Sequence, residues 1–139
     1  MKSESTPVYV LDSFALLSYI QKEAGGPRVA EVLREAQEGK AEVWLSIINY
    51  GEAVYITERE QGLEAAQEAA NAIDALPVQV VEAGRVLTFA AAHIKATLPV
   101  SYADAFAIAL ALEKGGRVLT GDPEFRKAEP LVAVEWIPR

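Results

Sequence analysis

Short segments rich in β-branched and aromatic residues alternate along this chain with longer amphipathic or alanine-rich segments. The short segments have the length and composition of strands, and the longer ones have the periodicity of helices. A strand that is followed by a helix and then by another strand normally lies parallel to its successor, because the helix carries the chain back across the sheet. The expected fold class is therefore α/β: a three-layer α/β/α arrangement around a central, mostly parallel sheet of about five strands.

Glycine and proline mark the expected ends of these segments. Pro27 stands where a helix favours proline, and the pairs Gly25-Gly26 and Gly115-Gly116 end helices. The predicted strands are 8–11, 42–45, 78–81, 117–120 and 132–136. The predicted helices are 13–21, 27–39, 47–61, about 63–75, roughly 83–92 and 101–113, with a loop near 97–99 and one helical turn at 123–127. No repeat, low-complexity segment or linker interrupts the pattern, so we expect residues 1–139 to form a single domain.

The composition limits the possible classes of protein. Of the 139 residues 51% are apolar, which is enough to bury a core, and the absence of cysteine excludes disulfides, zinc–thiolate sites and a thiol nucleophile. The first residues, MKSESTP, lack the apolar segment of a signal peptide, and the longest apolar stretch, near 105–112, is too short to span a membrane. We therefore expect a cytoplasmic protein without membrane association.

Four acidic residues interrupt apolar segments, whereas most other acids lie in polar helical stretches. They are Asp12, Glu52, Asp104 and Asp122, within VYVLDSFALL, INYGEAVYI, SYADAFAIALAL and RVLTGDPEF. Asp12 and Asp122 each follow a predicted strand, and the other two lie early on predicted helices. Ligand sites in parallel sheets lie beyond the carboxyl ends of the strands, so these carboxylates are expected to converge there.

Each of these acids, taken alone, also has a simple structural explanation as a helix cap. Asp12 and Asp122 precede helices, and capping-box spacing relates Asn49 to Glu52 and Ser101 to Asp104. The set is harder to explain in this way. Two carboxylates about 5 Å apart repel by about 3 kcal/mol at an effective dielectric constant near 20. A cluster of four would protonate, move apart or bind a cation.

An all-oxygen cluster suits a hard divalent cation such as Mg²⁺ or Mn²⁺. The predicted metal ligands are Asp12, Asp104 and Asp122, with Glu52 as a further ligand or a more distant acid. The hydroxyls of Ser13 and Thr120 stand beside two of these acids, where they would cap helices or orient ligands through hydrogen bonds. His93, the only histidine, has no potential co-ligand at metal-site spacing and is expected at a helix end or on the surface.

The net charge of −7 argues against broad, non-specific binding of nucleic acid, which depends on basic patches. A nucleic-acid substrate is compatible with this charge only if local basic residues hold it. A cation in the acidic cluster would offset part of the repulsion.

The motifs around the four acids resemble those of PIN-domain nucleases, and most of all the VapC toxins of toxin–antitoxin pairs. The matching segments are VLDS at 10–13, NYGE at 49–52, SYADA at 101–105 and TGDPEF at 120–125. Their order and spacing together carry the resemblance, which covers nearly the full length. Phe14 departs from the pattern, since many relatives have a small or polar residue there; it either narrows the mouth of the site or packs into the core.

The resemblance implies a PIN-like fold and a Mg²⁺- or Mn²⁺-dependent endoribonuclease that hydrolyses RNA phosphodiester bonds. It implies that Asp12, Glu52, Asp104 and Asp122 are catalytic, that the chain forms a homodimer and that a small cognate antitoxin inserts a segment near the acids. Apolar residues on the early helices, including Phe14, Leu17 and Tyr55, are candidates for the surface that such partners cover.

Other functions remain open at this point. A haloacid dehalogenase-type phosphatase needs a second aspartate two positions after the first, where this chain has Phe14. A response-regulator receiver needs paired acids and a lysine that are not evident. An RNA-processing PIN nuclease without an antitoxin would share the same motifs. A non-catalytic binding domain would use the acids only as caps.

Overall fold

Five short strands form one parallel sheet in the computed structural model, which describes residues 6–139. They are β1 (Val8–Leu11), β2 (Glu42–Ser46), β3 (Gln79–Val81), β4 (Arg117–Thr120) and β5 (Ala133–Trp136). Their order across the sheet is β3-β2-β1-β4-β5, and each neighbouring pair is parallel. Residues 1–5, which belong to the segment expected to lack a signal peptide, lie outside the described part.

Helices cover both faces of this sheet, which confirms the expected three-layer α/β/α class. They are α1 (Ser13–Ile20), α2 (Gly26–Gln37), α3 (Ile47–Gln61), α4 (Leu63–Asp74), α5 (Arg85–Thr97) and α6 (Tyr102–Lys114), followed by a 3₁₀-helix at Pro123–Ala128. The described sheet is wholly parallel, which is consistent with helical crossovers between its strands.

The alternation of side chains along the central strand divides the buried residues into two cores. Tyr9 and Leu11 of β1 belong to the core that contains residues of α1 and α2, whereas Val10 belongs to the core built around α6. Most of α6, from Asp104 to Ala111, is buried, because this helix lies between the sheet and α5. This burial explains why its sequence is apolar on nearly every side.

The predicted boundaries agree with the structure within two residues, except at the end of α5. The expected helix at 83–92 instead covers Arg85–Thr97 and includes His93, which is exposed on its surface. The helix ends where Leu98, which precedes Pro99, takes an extended conformation (φ −125°, ψ 140°), as the residue before a proline tends to do. Alanine-rich sequence gives no earlier stop signal, so the proline sets the end of the helix.

No single helix among residues 6–139 has the length and apolar character needed to cross a membrane. Helices α5 and α6 pass this test only as a pair, and they are bent by 118° at the break between them.

The approach of β4 to β1 generates a prediction about two glycines. A Cβ at Gly116 would lie 2.7 Å from both the Cγ1 and the backbone oxygen of Val8, whereas one at Gly51, within α3, would meet nothing within 4 Å. Gly116→Ala should therefore lower the free energy of unfolding by roughly 1–3 kcal/mol through overpacking. Gly51→Ala, the matched control, should raise it by about 0.5–1 kcal/mol, because alanine favours a helix. Urea denaturation measures both effects, and equal changes in the two variants would contradict the prediction.

Candidate active site at the carboxyl ends of the strands

Asp12 is buried at the point where β1 meets α1 and is 1% exposed. Its Oδ1 accepts a hydrogen bond of 2.8 Å from the backbone N–H of Ala15. Asp12 therefore caps α1, which is the structural explanation that its sequence position suggested. Its Oδ2 accepts a hydrogen bond from the hydroxyl of Thr120, the last residue of the neighbouring strand β4. The carboxylate therefore joins the ends of the two strands at the centre of the sheet.

Asp122 lies two residues beyond Thr120 and begins the 3₁₀-helix. Its backbone N–H donates to Thr120 Oγ1 over 3.0 Å, and its Oδ1 accepts a hydrogen bond of 2.9 Å from the backbone N–H of Glu124. Thr120 thus donates to one acid and accepts from the backbone of another. This arrangement fixes the position of Asp122 relative to Asp12.

Asp104 lies in the first turn of α6 and is 6% exposed. Ser101 caps this helix, and its Oγ accepts a hydrogen bond of 3.1 Å from the backbone N–H of Asp104. The buried side chain of Asn49, on α3, donates to the backbone oxygen of Ala103 over 3.1 Å. This bond ties the start of α6 to α3, the helix that carries Glu52.

Glu52 is half-buried on α3 and does not cap that helix. The cap is Ser46, whose hydroxyl oxygen accepts from the backbone N–H of Ile48 over 3.1 Å, so the capping-box explanation of Asn49 and Glu52 is wrong. The Ser13 hydroxyl donates to Glu52 Oε1 over 2.5 Å, and the Tyr55 hydroxyl donates to Oε2 over 3.5 Å. These contacts hold the carboxylate beside the start of α1.

Three of the four acids line one cleft of about 330 Å³. Its lining residues are Ser13, Phe14, Leu17, Glu52, Ile56, Ser101, Asp104, Asp122 and Glu124. Phe14 both lines the cleft and packs against its surroundings. Its ring lies so close to Gly121 that a Cβ atom on residue 121 would overlap with the ring. Asp12 is not among the lining residues, although the charges of Asp104 and Asp122 act on it electrostatically.

Burial and like charges favour the protonated forms of two of these acids. Desolvation raises the pKa of Asp12 from 3.8 to about 7; the hydrogen bonds from Thr120 and Ala15 lower it, and the charges of Asp104 and Asp122 raise it further. The pKa of Asp104 is also raised to about 7, chiefly by desolvation and next by the charge of Asp122. A side-chain hydrogen bond between Ser101 and the Asp104 carboxyl group lowers the Asp104 pKa, and the charges of Glu52 and Glu124 raise it.

The donor set fits a hard divalent cation in its chemistry. All the candidate ligands are carboxylates, and none of the four acids forms an ion pair with a lysine or arginine of residues 6–139. Within residues 6–139, no three Asp, Glu, His or Cys side chains are already close enough together to coordinate one metal ion. Mg²⁺ often binds through one or two carboxylates and keeps several waters, so it does not need three such side chains. The ionised acids here would gain a positive partner from it.

Two residues of the site escaped the sequence analysis as functional candidates. Glu124 lies within the segment 120–125 but was not considered as a site residue, although it lines the cleft. Asn49 was considered only as a helix cap, because a polar residue three positions before a glutamate looks like a capping box. Its bond to Ala103 spans 54 residues, and no local pattern signals such a contact.

Comparison with known proteins identifies the family and the fold. The model of the PIN domain matches residues 9–130. The structure of VapBC2 from Rickettsia felis, bound to a promoter DNA fragment, aligns with a TM-score of 0.74 and 14% identity over 94% of this chain and 99% of that one. The sarcin–ricin loop cleaving toxin VapC20 from Mycobacterium tuberculosis aligns with a TM-score of 0.70 and 23% identity, again over 94% and 99%.

A DNA-bound VapBC from Salmonella typhimurium gives a TM-score of 0.70 at 18% identity, over 93% of this chain and 97% of that one. No curated protein sequence matches significantly. At these identities the structural likeness establishes the fold, and the family model establishes the membership. Because that model spans most of the length, from residue 9 to residue 130, the chain belongs to the PIN-domain family.

Proposed function

We propose that this protein is a divalent-metal-dependent endoribonuclease and the toxin of a toxin–antitoxin pair. The observation that carries the proposal is the convergence of Glu52, Asp104 and Asp122 on one cleft, close to a buried Asp12. None of these acids pairs with a lysine or arginine within residues 6–139. An uncompensated acidic cluster of this kind fits a metal-assisted hydrolysis of a phosphodiester better than a set of helix caps. The family membership supports the same reaction class.

Each acid has a proposed role that follows from its contacts. Asp12, Asp104 and Asp122 would hold Mg²⁺ or Mn²⁺, because each carboxylate oxygen keeps a lone pair beyond the hydrogen bonds described. Glu52, held by Ser13, would be a further ligand or would accept a proton from the attacking water at Oε2. Thr120 and Ser13 would keep these acids oriented through their hydroxyl groups. A bound cation would supply positive charge for the developing negative charge on the phosphate and would lower the pKa of water.

A cognate antitoxin is supported by the solved relatives, several of which are toxin–antitoxin complexes by description. The homodimer rests on the motif resemblance alone. Phe14 and Leu17, expected as partner surface, are partly buried against the core and also line the acidic cleft. Tyr55 is 48% exposed and is the better candidate for contact with a partner. The alternative functions are an RNA-processing PIN nuclease without an antitoxin and a non-catalytic binding domain.

The first test of the proposal is cleavage of single-stranded and structured RNAs in Mg²⁺ or Mn²⁺. EDTA should abolish cleavage, and Asp104→Asn should lower its rate by at least about 100-fold, because it removes a ligand. Products should carry a 5′-phosphate and a 3′-hydroxyl, because water is the expected nucleophile. Glu58→Gln, which makes the same charge change on an exposed part of α3, is the control. A 2′,3′-cyclic phosphate, or cleavage that persists in EDTA, would refute the mechanism.

The raised pKa of Asp104 predicts an unusual stability of its neutral variant. In the unfolded chain this group ionises near 3.8, whereas in the folded metal-free protein it ionises near 7. The folded state therefore binds more protons between these values, and the free energy of unfolding falls as the pH rises through this range. In EDTA at pH 8, Asp104→Asn should be more stable than the wild type by about 1–4 kcal/mol, at roughly 1.4 kcal/mol per pKa unit. At pH 4 the difference should vanish.

Urea denaturation at both pH values measures this effect, with Glu58→Gln again as the charge-matched control. Added Mg²⁺ should stabilise the wild type at pH 8 through preferential binding to the folded state, and should stabilise Asp104→Asn much less. An Asp104→Asn protein that is less stable than the wild type at pH 8, together with an unchanged response to Mg²⁺, would remove Asp104 from the proposed site.

A separate experiment distinguishes the toxin from the processing enzyme. The small protein encoded by the adjacent upstream gene should co-purify with this chain and suppress its cleavage of RNA. An arginine of such a partner can pair with two carboxylates at once and so compete for Glu52 or Asp104. Co-purification without inhibition would exclude that blocking mechanism. If no small protein binds while RNA is still cleaved, the RNA-processing function replaces the toxin.

A further inference from the structure

A second cleft, of about 400 Å³, lies beside the acidic one. Gly121 and Pro123, the two neighbours of Asp122 in the chain, line it together with Arg126, Trp136 and Arg139. Its volume falls within the range of roughly 300–1,000 Å³ that is usual for sites of small ligands. A substrate that reaches Asp122 from this side would pass through the second cleft.

The ring of Trp136 is held in place and yet remains accessible in this cleft. Trp136 is the last residue of the edge strand β5 and is 38% exposed. Its Nε1–H donates to Glu129 Oε2 over 3.0 Å, and the guanidinium carbon of Arg126 lies 5.6 Å from the ring centroid. A fixed and partly open aromatic ring is a suitable surface for stacking of a planar ligand.

The charge of this cleft is opposite to that of its neighbour. Glu52, Asp104, Asp122 and Glu124 line the acidic cleft, whereas no Asp or Glu lines the second one. Arg126 forms no ion pair with any acid of residues 6–139, so its charge is available to a ligand. In a chain of net charge −7, a basic and aromatic cleft of this kind is the local feature that binding of nucleic acid requires.

We propose that the second cleft binds one unpaired nucleotide of an RNA substrate next to the scissile bond. The base stacks on Trp136, and the phosphates contact Arg126 and Arg139. This inference rests on the proposed nuclease function and extends it to the substrate: RNA that is single-stranded at this position. Stacking of a base on an aromatic ring tolerates every base, so the cleft selects for an unpaired strand more than for a sequence.

Tryptophan fluorescence gives a direct test of stacking, because the chain contains only two tryptophans, Trp44 and Trp136. Trp44→Phe leaves Trp136 as the single reporter, and Trp136→Phe leaves Trp44, which packs against the core and Lys114. A single-stranded oligoribonucleotide of about ten nucleotides, within usual site sizes, is added in EDTA so that it is not cleaved. It should quench the emission of Trp44→Phe and leave that of Trp136→Phe unchanged.

Affinity for the same oligonucleotide, measured by fluorescence anisotropy, tests the individual contacts. Trp136→Ala should raise the Kd about tenfold, whereas Trp136→Phe, which also loses the bond to Glu129 but keeps a stacking face, should stay near the wild type. Arg126→Ala should weaken binding and lower the salt dependence by about one phosphate contact. The matched controls are Arg85→Ala and Phe89→Ala on α5. These residues form a similar exposed pair, in which the guanidinium carbon of Arg85 lies 4.8 Å from the ring centroid of Phe89.

Two outcomes would overturn the inference. One is an absence of quenching in Trp44→Phe. The other is an unchanged RNA affinity in both Trp136→Ala and Arg126→Ala; if these variants instead lost binding to a protein, the cleft would be a protein-binding surface and not an RNA subsite. Cleavage that continues normally in those variants would leave the nuclease proposal standing without this subsite. Conversely, quenching and weakened binding in a protein that cleaves no RNA would support the subsite and refute the nuclease.

Discussion

Asp12 and Asp104 are buried and have no lysine or arginine partner in the described part of the chain, residues 6–139. The other contacts of the site are arranged around these two carboxyl groups. Desolvation opposes the ionised form of both groups, and the charge of Asp122 adds repulsion. The hydroxyl of Thr120 and the backbone N–H of Ala15 offset part of this cost by donating hydrogen bonds to Asp12. The rest must come from packing elsewhere, in the two apolar cores on either side of the sheet. A divalent cation bound to these acids, as proposed, would relieve this cost.

The general form of the fold could be predicted because each level of the sequence pointed to it. Strand-length and helix-length segments alternate, and parallel strands bring the residues that follow them to one edge of the sheet. That rule alone placed Asp12 and Asp122 at the same edge. The length of α5 could not be predicted from its alanine-rich sequence, because its stop signal, Pro99, lies several residues beyond the predicted end and acts through the extended conformation of Leu98.

The details of the site were less accessible to sequence reasoning, since they depend on contacts between distant segments. The bond from Ser13 to Glu52 and the bond from Asn49 to Ala103 each join residues of different helices. A local pattern shows only that Asn49 and Glu52 have the spacing of a cap, and Ser46 fills that role in the structure. The cap and site explanations also proved compatible, because Asp12 and Asp122 cap helices with one oxygen and keep further lone pairs.

In the strand order β3-β2-β1-β4-β5, Asp12 and Asp122 follow β1 and β4, the central strand and one of its two neighbours. Thr120 and Asp12 are almost completely buried there, and a substitution at either would leave a polar group unpaired. The surrounding residues are different, since Tyr55, Glu124 and Trp136 are exposed, and exposed positions tolerate most substitutions with little effect on stability. The exposed rim of this fold can therefore change its chemistry at little cost in stability, whereas the buried hydrogen-bonded pair at the sheet cannot.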